Sequence, residues 1–155
     1  MPGYLRSEVK PGIVHLGVGG FSRSHFNIYT DTVLEKDPRW GIVGAGLTAA
    51  DERMHDALVG QDWMYTVMTK GTDGKVGTRV CASMIDYIWA GQGVSNQQRL
   101  IEQLVAPETK IVSLTVTEKG YTADLTSDEL DFSLPENNWM LNHTAGKIKA
   151  LEAVC

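Results

Sequence analysis

Three glycines within four positions, Gly17-Val18-Gly19-Gly20, lead into Phe21, Ser22, Arg23 and His25, and these residues speak most directly of chemistry in this 155-residue chain. They follow an apolar, β-prone run and precede a helical pattern. A turn of this kind leaves unsatisfied N–H groups at a helix N-terminus, where they and the helix dipole favour a phosphate. Gly17 supplies the tight turn. Gly19 has no Cβ, so a pyrophosphate can approach the backbone. The third position of the Gly-x-Gly-x-x-Gly pattern is Ser22, small enough for close helix–strand packing. Phe21 is expected either to cover a bound cofactor or to plug the core beneath the turn. A cation at a helix N-terminus is unfavourable by itself, so Arg23 makes sense as a contact to a bound anion. His25 reads as a packing residue. Methyltransferases also use Gly-x-Gly after a first strand, so the turn alone does not name the cofactor.

Two further polar positions belong with this turn. A ribose-binding acid is expected about 20 residues on, at the end of a second strand. That strand ends in Gly44-Ala45-Gly46-Leu47 without an acid, which argues against a methyltransferase. The next acid, Asp51, is placed to reach the ribose from the following loop or first helical turn. Arg53 beside it leaves NAD and NADP both open. The second position is "TVTEKGY", where Thr115, Thr117, Glu118 and Lys119 end an apolar strand. Ligands of open α/β sheets lie beyond the carboxyl ends of the strands. Thr117 is therefore a cofactor candidate and Glu118 a candidate proton relay; the competing reading is a solvated Glu118–Lys119 pair.

The elements that must position these residues follow from periodicity. Gly12–Val18, Trp40–Gly46 and Lys110–Tyr121 read as buried strands. Ser22–Lys36 is an amphipathic helix with Phe26, Tyr29, Val33 and Leu34 on one face, ended by Asp37-Pro38. Thr48–Gly60 is a helix with Thr48 as cap, Met54, Ala57 and Leu58 sharing a face, and Gly60 as stop. Tyr65–Thr69 and Thr78–Ile88 read as an antiparallel hairpin. A helix from Ser95 follows, capped by Ser95 or Asn96, with Leu100, Ile101, Leu104 and Val105 buried. Alternating strands and helices imply parallel pairing through right-handed crossovers, hence an α/β, doubly wound, mainly parallel sheet with an inserted hairpin. Residues 1–11 form an N-terminal arm, 12–121 the dinucleotide-binding domain, and 122–155 a weakly patterned continuation with a candidate helix near its end.

Composition narrows the partners. A net charge of −5 without a Lys/Arg run disfavours nucleic acid. No apolar stretch approaches the roughly 20 residues of a membrane helix, and the opening "MPGYLRSEVKPG" lacks an apolar core, so a secretory signal is not expected. Cys81 and Cys155 read as free thiols of a reducing, cytoplasmic setting. His15, His25, His55 and His143 are too scattered to suggest a metal.

Four blocks, "IVHLGVGGFSRSHFNIYTD", "WGIVGAGLTAADERMHDALVGQDWMYTV", "RVCASMIDYIWA" and "IVSLTVTEKGY", resemble in order the N-terminal domain of the mannitol dehydrogenase family, the long-chain polyol dehydrogenases. The resemblance spans about Gly12 to Tyr121 and implies a Rossmann-like domain. It also implies NAD(P)-dependent, metal-independent oxidation of a secondary hydroxyl of a mannitol- or mannonate-like substrate to the ketone. It assigns Gly17, Val18, Gly19, Gly20, Phe21 and Arg23 to the phosphate turn, Asp51 to the adenosine ribose, and Thr117 and Glu118 to the nicotinamide side. The family's catalytic lysine lies in a Lys-x-x-x-x-Asn-x-x-His pattern that this sequence does not contain. The expectation is therefore a cofactor-binding domain without its substrate half, prone to self-association and inactive alone. The alternative is a non-catalytic nucleotide-binding or interaction module.

Overall fold

The computed structural model describes residues 2–115 and the backbone of residues 123–124 and 129–130. The chain forms two compact units, Met1–Thr115 and Val116–Cys155. The first contains β1 (Pro11–Leu16), α1 (Asn27–Leu34), β2 (Gly41–Gly46), α2 (Glu52–Val59), β3 (Tyr65–Lys70), β4 (Val76–Cys81), β5 (Met84–Trp89), α3 (Val94–Val105) and β6 (Ile111–Leu114). In the second, Ala123–Asp124 pairs antiparallel with Glu129–Leu130.

β1, β2, β5 and β6 make a parallel sheet in the order β5-β2-β1-β6. Their alternating side chains feed two layers, because successive residues of a strand face opposite ways. Ile13, Ile42, Met84 and Tyr87 pack with Leu58 of α2, with Phe26 beside them. Val14, Val43, Ala45 and Ile88 pack with Leu100 and Leu104 of α3. Helices thus cover both faces, as a doubly wound sheet requires. The chain winds outward from β1 through β2 to β5, then crosses back over β1 to β6. The order reverses between β1 and β6, the place where ligands of such sheets sit.

Several local expectations are overturned, each by a tertiary contact. Thr78–Ile88 is not one hairpin arm. β4 completes the antiparallel pair with β3, and β5 joins the main sheet beside β2. The break falls at Ala82-Ser83, where the Ala82 N–H donates to Asp31 Oδ1 (3.0 Å) and the Ser83 hydroxyl donates to the Asn27 carbonyl (2.8 Å). Asp31 of α1 thereby withholds the Ala82 amide from any ladder, while the Ser83 carbonyl already accepts from the Ile42 N–H of β2 (2.9 Å).

α1 itself buries Asn27, Thr30, Asp31 and Leu34, while Tyr29 and Val33 are exposed. A π-helical turn at Ser22–Phe26 precedes it, with the Asn27 N–H bonded to the Ser22 carbonyl. One extra residue in a turn advances the following face by about 100°, a shift of one position.

Gly60 keeps a right-handed backbone; the chain reverses at Asp62 and Trp63, with φ of 53° and 62°. That strain seats the Trp63 ring against Tyr87, 6.1 Å between centroids, and brings Asp62 to Arg6. α3 is preceded by Gly93 as its cap residue, and Ser95 and Asn96 lie inside it. Asn96 Nδ2 donates to the Trp89 carbonyl (3.0 Å) instead. Ile101 and Val105 of α3 are exposed, as are Ile111, Val112 and Leu114 of β6. β6 is the sheet's edge among the described residues, so it is not the buried strand its composition suggests.

Candidate functional site

The glycine turn stands at the carboxyl end of β1. Gly17 takes φ +86°, a conformation that strains any residue with a Cβ. Its N–H donates to the Ala45 carbonyl (2.8 Å), which ties the turn to β2. Val18 is buried in the core and anchors the turn from below. At Gly19 and Gly20 an added Cβ would meet no protein atom within 4 Å. The bare backbone here serves no internal packing and faces open space.

The helix that follows begins its backbone bonding with the Arg23 N–H on the Gly19 carbonyl (3.2 Å), so the amides before it stand at the mouth of the turn. Ser22 is fully buried, with its hydroxyl on the Gly19 carbonyl (3.1 Å). Its complete burial fits the small residue expected at the third position. Phe21 is exposed and stacks on His25 at 4.8 Å. It does not plug the core; it forms a rim beside the turn.

A cavity of about 580 Å³ opens in front of these residues, lined by Val18, Gly19, Arg23, Asp51, Arg53 and Met54 among others. Its size lies in the range of small-molecule sites. Arg23 forms no ion pair among the described residues. Its Nε is buried without a hydrogen-bond partner. A desolvated donor on a cation is costly unless a ligand supplies the acceptor. The orphaned nitrogen and the bare glycine cradle together fit a phosphate.

Asp51 closes the 3₁₀ turn Ala49–Asp51 ahead of α2, in a capping box with Thr48. Its Oδ2 accepts from Leu47 N–H (3.0 Å), Thr48 N–H (2.9 Å) and the Thr48 hydroxyl (2.8 Å). Oδ1 has no hydrogen-bond partner among the described residues. The absence of an acid at the end of β2 now has a reason. A Cβ at Gly46 would lie 2.6 Å from both Asp51 Cβ and the Tyr87 hydroxyl. Glycine there lets Asp51 come against the strand end from the next element. Tyr87 was not singled out by pattern; only its polar tip in the apolar run "MIDYIW" marks it. Its hydroxyl is buried without a partner. Burial, helped by the Asp51 carboxylate, pushes its pKa up to about 12.

The structure thus brings Gly17, Val18, Gly19, Gly20, Phe21, Arg23 and Asp51 to one end of the sheet. Thr117 and Glu118 lie outside the described residues. Among the described residues no group of His, Cys, Asp and Glu could hold a metal ion, and no helix is long and apolar enough to cross a membrane.

Residues 11–152 match the family model of the mannitol dehydrogenase Rossmann domain. The chain is 41% identical over 138 residues to mannitol 2-dehydrogenase of Phaeosphaeria nodorum, covering 88% of this chain and 24% of that protein. It is 37% identical over 132 residues to the polyol:NADP oxidoreductase of Gluconobacter oxydans, covering 84% and 27%. Among solved structures it resembles Pseudomonas fluorescens mannitol 2-dehydrogenase in ternary complex with NAD and D-mannitol. The TM-score there is 0.77 at 38% identity, over 92% of this chain and 29% of that one. A D-sorbitol dehydrogenase in substrate-free form gives a TM-score of 0.78 at 34% identity, over 91% and 29%. The chain spans about a quarter of the length of these curated relatives.

Proposed function

The chain belongs to the mannitol dehydrogenase family, and from that premise we propose that it is the NAD-binding domain of a polyol or sugar-acid dehydrogenase. The observation that carries this reading is the orphaned Arg23 Nε beside a glycine cradle open to solvent. The backbone at Gly17, Val18, Gly19 and Gly20 and the Arg23 guanidinium hold the diphosphate. Phe21 shields it, and Asp51 takes the adenosine ribose through its unencumbered oxygen. Its charge favours NAD, because a 2′-phosphate would meet the carboxylate; Arg53, in the same cavity, is the group that NADP would use. When bound, the nicotinamide supplies the hydride acceptor for a secondary carbinol. On this chain Thr117 serves the nicotinamide and Glu118 handles a proton. The residues that orient a mannitol- or mannonate-like substrate belong to the further length found in the relatives. A free, buried Cys81 suits a reducing, cytoplasmic setting.

The test is calorimetric titration with NAD and NADP. Gly19→Val places a branched side chain where the diphosphate must approach, and is expected to weaken NAD binding beyond detection. Gly46→Ala displaces Asp51 and is expected to narrow the difference between NAD and NADP. Equal NAD affinity in the wild type and Gly19→Val would remove the turn from the site.

We also propose that the chain self-associates through β6. An edge strand with exposed apolar side chains templates further pairing, and Ile111, Val112 and Leu114 are 43%, 50% and 59% exposed. Light scattering should show mass rising with concentration, and Val112→Lys should suppress the rise. A wild-type monomer throughout would end this proposal.

A further inference from the structure

His15 is the penultimate residue of β1, only 3% exposed, in a strand that is otherwise apolar after its opening Pro11-Gly12. The cofactor assignment gives it no role. Its Nδ1 lies 2.9 Å from the Ser113 hydroxyl and its Nε2 lies 3.5 Å from the Thr115 hydroxyl. Ser113 and Thr115 are two residues apart, so both side chains face the same way. Ser113 is the β6 partner of His15 across the ladder. Thr115 follows the last residue of β6 and is exposed. One buried imidazole therefore spans the two strands between which the sheet order reverses.

We propose that His15 is a positioning residue, orienting the Thr115 hydroxyl toward the nicotinamide half of the bound dinucleotide. This rests on the cofactor reading above. The topology supplies the division of the ligand. Asp51 follows β2 on one side of β1, and Thr115 follows β6 on the other, with the glycine turn between them. A dinucleotide centred on that turn extends its adenosine over β2 and its nicotinamide over β6.

The chemistry of a neutral imidazole supplies the orientation. It offers one donor and one acceptor. Set between two hydroxyls, the ring accepts a hydrogen bond from one and donates a hydrogen bond to the other. The hydroxyl that accepts keeps its own hydrogen for a further partner, and Thr115 is the one with access to solvent. The surroundings keep the ring neutral. β2 presents Gly44 opposite it, and Phe26, ahead of α1, stands with its ring centroid 5.3 Å away. No charged side chain among the described residues contributes to its titration; burial holds the pKa below 6.5, partly opposed by the Gly17 carbonyl. Below pH 6.5 the unfolded chain binds a proton that the folded chain resists. Stability therefore falls as pH drops from 6.5 toward the lowered folded value, then levels.

The experiment titrates the chain with NAD and with ADP from pH 7.5 downward, and reads the ratio of the two affinities. ADP carries the diphosphate and adenosine but no nicotinamide. T115V and H15F are each expected to weaken NAD roughly three- to tenfold, the scale of one lost hydrogen bond, with ADP unchanged. H15Q, which also offers a donor and an acceptor, should restore most of the ratio. The wild-type ratio should fall on acidification, and that of H15Q should stay flat. Thr115 is exposed, so T115V keeps the test independent of how the His15 variants fold. NAD and ADP weakening in parallel, or a T115V ratio equal to wild type, would overturn the positioning role. Failure of ADP itself to bind would instead overturn the cofactor reading.

Discussion

The purified 155-residue chain is expected to form no NADH from mannitol, sorbitol or mannonate at a rate distinguishable from the blank. The argument concerns the proton and the orientation of the carbinol. Losing a general base costs about 10²–10⁴ in rate. Correct placement of the reacting carbon against the cofactor is worth roughly 7–11 kcal/mol more. The chain corresponds to 24% of the length of its Phaeosphaeria relative, and the lysine pattern expected of the family does not occur in it. Glu118 is the base candidate that remains, and its Glu118→Gln variant belongs in the assay. Absorbance at the reduced-nicotinamide band, followed over a polyol panel, decides the matter. Robust NADH formation that Glu118→Gln abolishes would show a working site on these residues. Activity appearing only when a second polypeptide carrying the lysine pattern is added would establish a divided enzyme.

Asp31→Ala is expected to lower the unfolding free energy by about 3 kcal/mol, the scale of a broken buried polar network. Asp31 is 4% exposed. Its Oδ1 accepts from the Tyr4 hydroxyl (2.6 Å) and the Ala82 N–H (3.0 Å), and its Oδ2 accepts from Arg79 (2.8 Å). One carboxylate thus joins the N-terminal arm, α1, the hairpin and the start of β5. Removing it strands the buried Ala82 amide. Arg79 is 42% exposed and relaxes into water, so its ion pair contributes the smaller share. Urea unfolding should show the midpoint shift without a change in slope, and Arg79→Ala should cost less than half as much. A loss below about 1 kcal/mol for Asp31→Ala would mean that solvent replaces the carboxylate without penalty.

The relation between sequence and structure is clearest in how far each signal reaches along the chain. The turn at Gly17–Gly20 was legible because its requirements are local. A positive φ at Gly17 and a bare backbone at Gly19 are properties of single residues, whatever packs elsewhere. The alternation of apolar strands with helices was legible for the same reason, and with it the parallel, doubly wound sheet. The partial fingerprint at Ser22 could also be read, since side-chain volume alone decides whether helix and strand approach.

What only the tertiary structure decided depends on atoms far apart in sequence. Asp51 replaces a strand-end acid because Gly46 leaves room for it beside Tyr87, an arrangement of three elements. α1 presents Asp31 inward rather than Tyr29 because a π-helical turn shifts its face, and because Tyr4, Arg79 and Ala82 bring donors to that carboxylate. β4 and β5 separate where Asp31 of α1 takes the Ala82 amide. The exposure of Ile111, Val112 and Leu114 depends on a neighbour strand, which a strand's own composition does not encode. His15 read as one scattered histidine until β6 set two hydroxyls against its ring. Local pattern carries dihedral preference and periodicity; the pairing of polar groups across elements, and hence the site, exists only once the chain has folded.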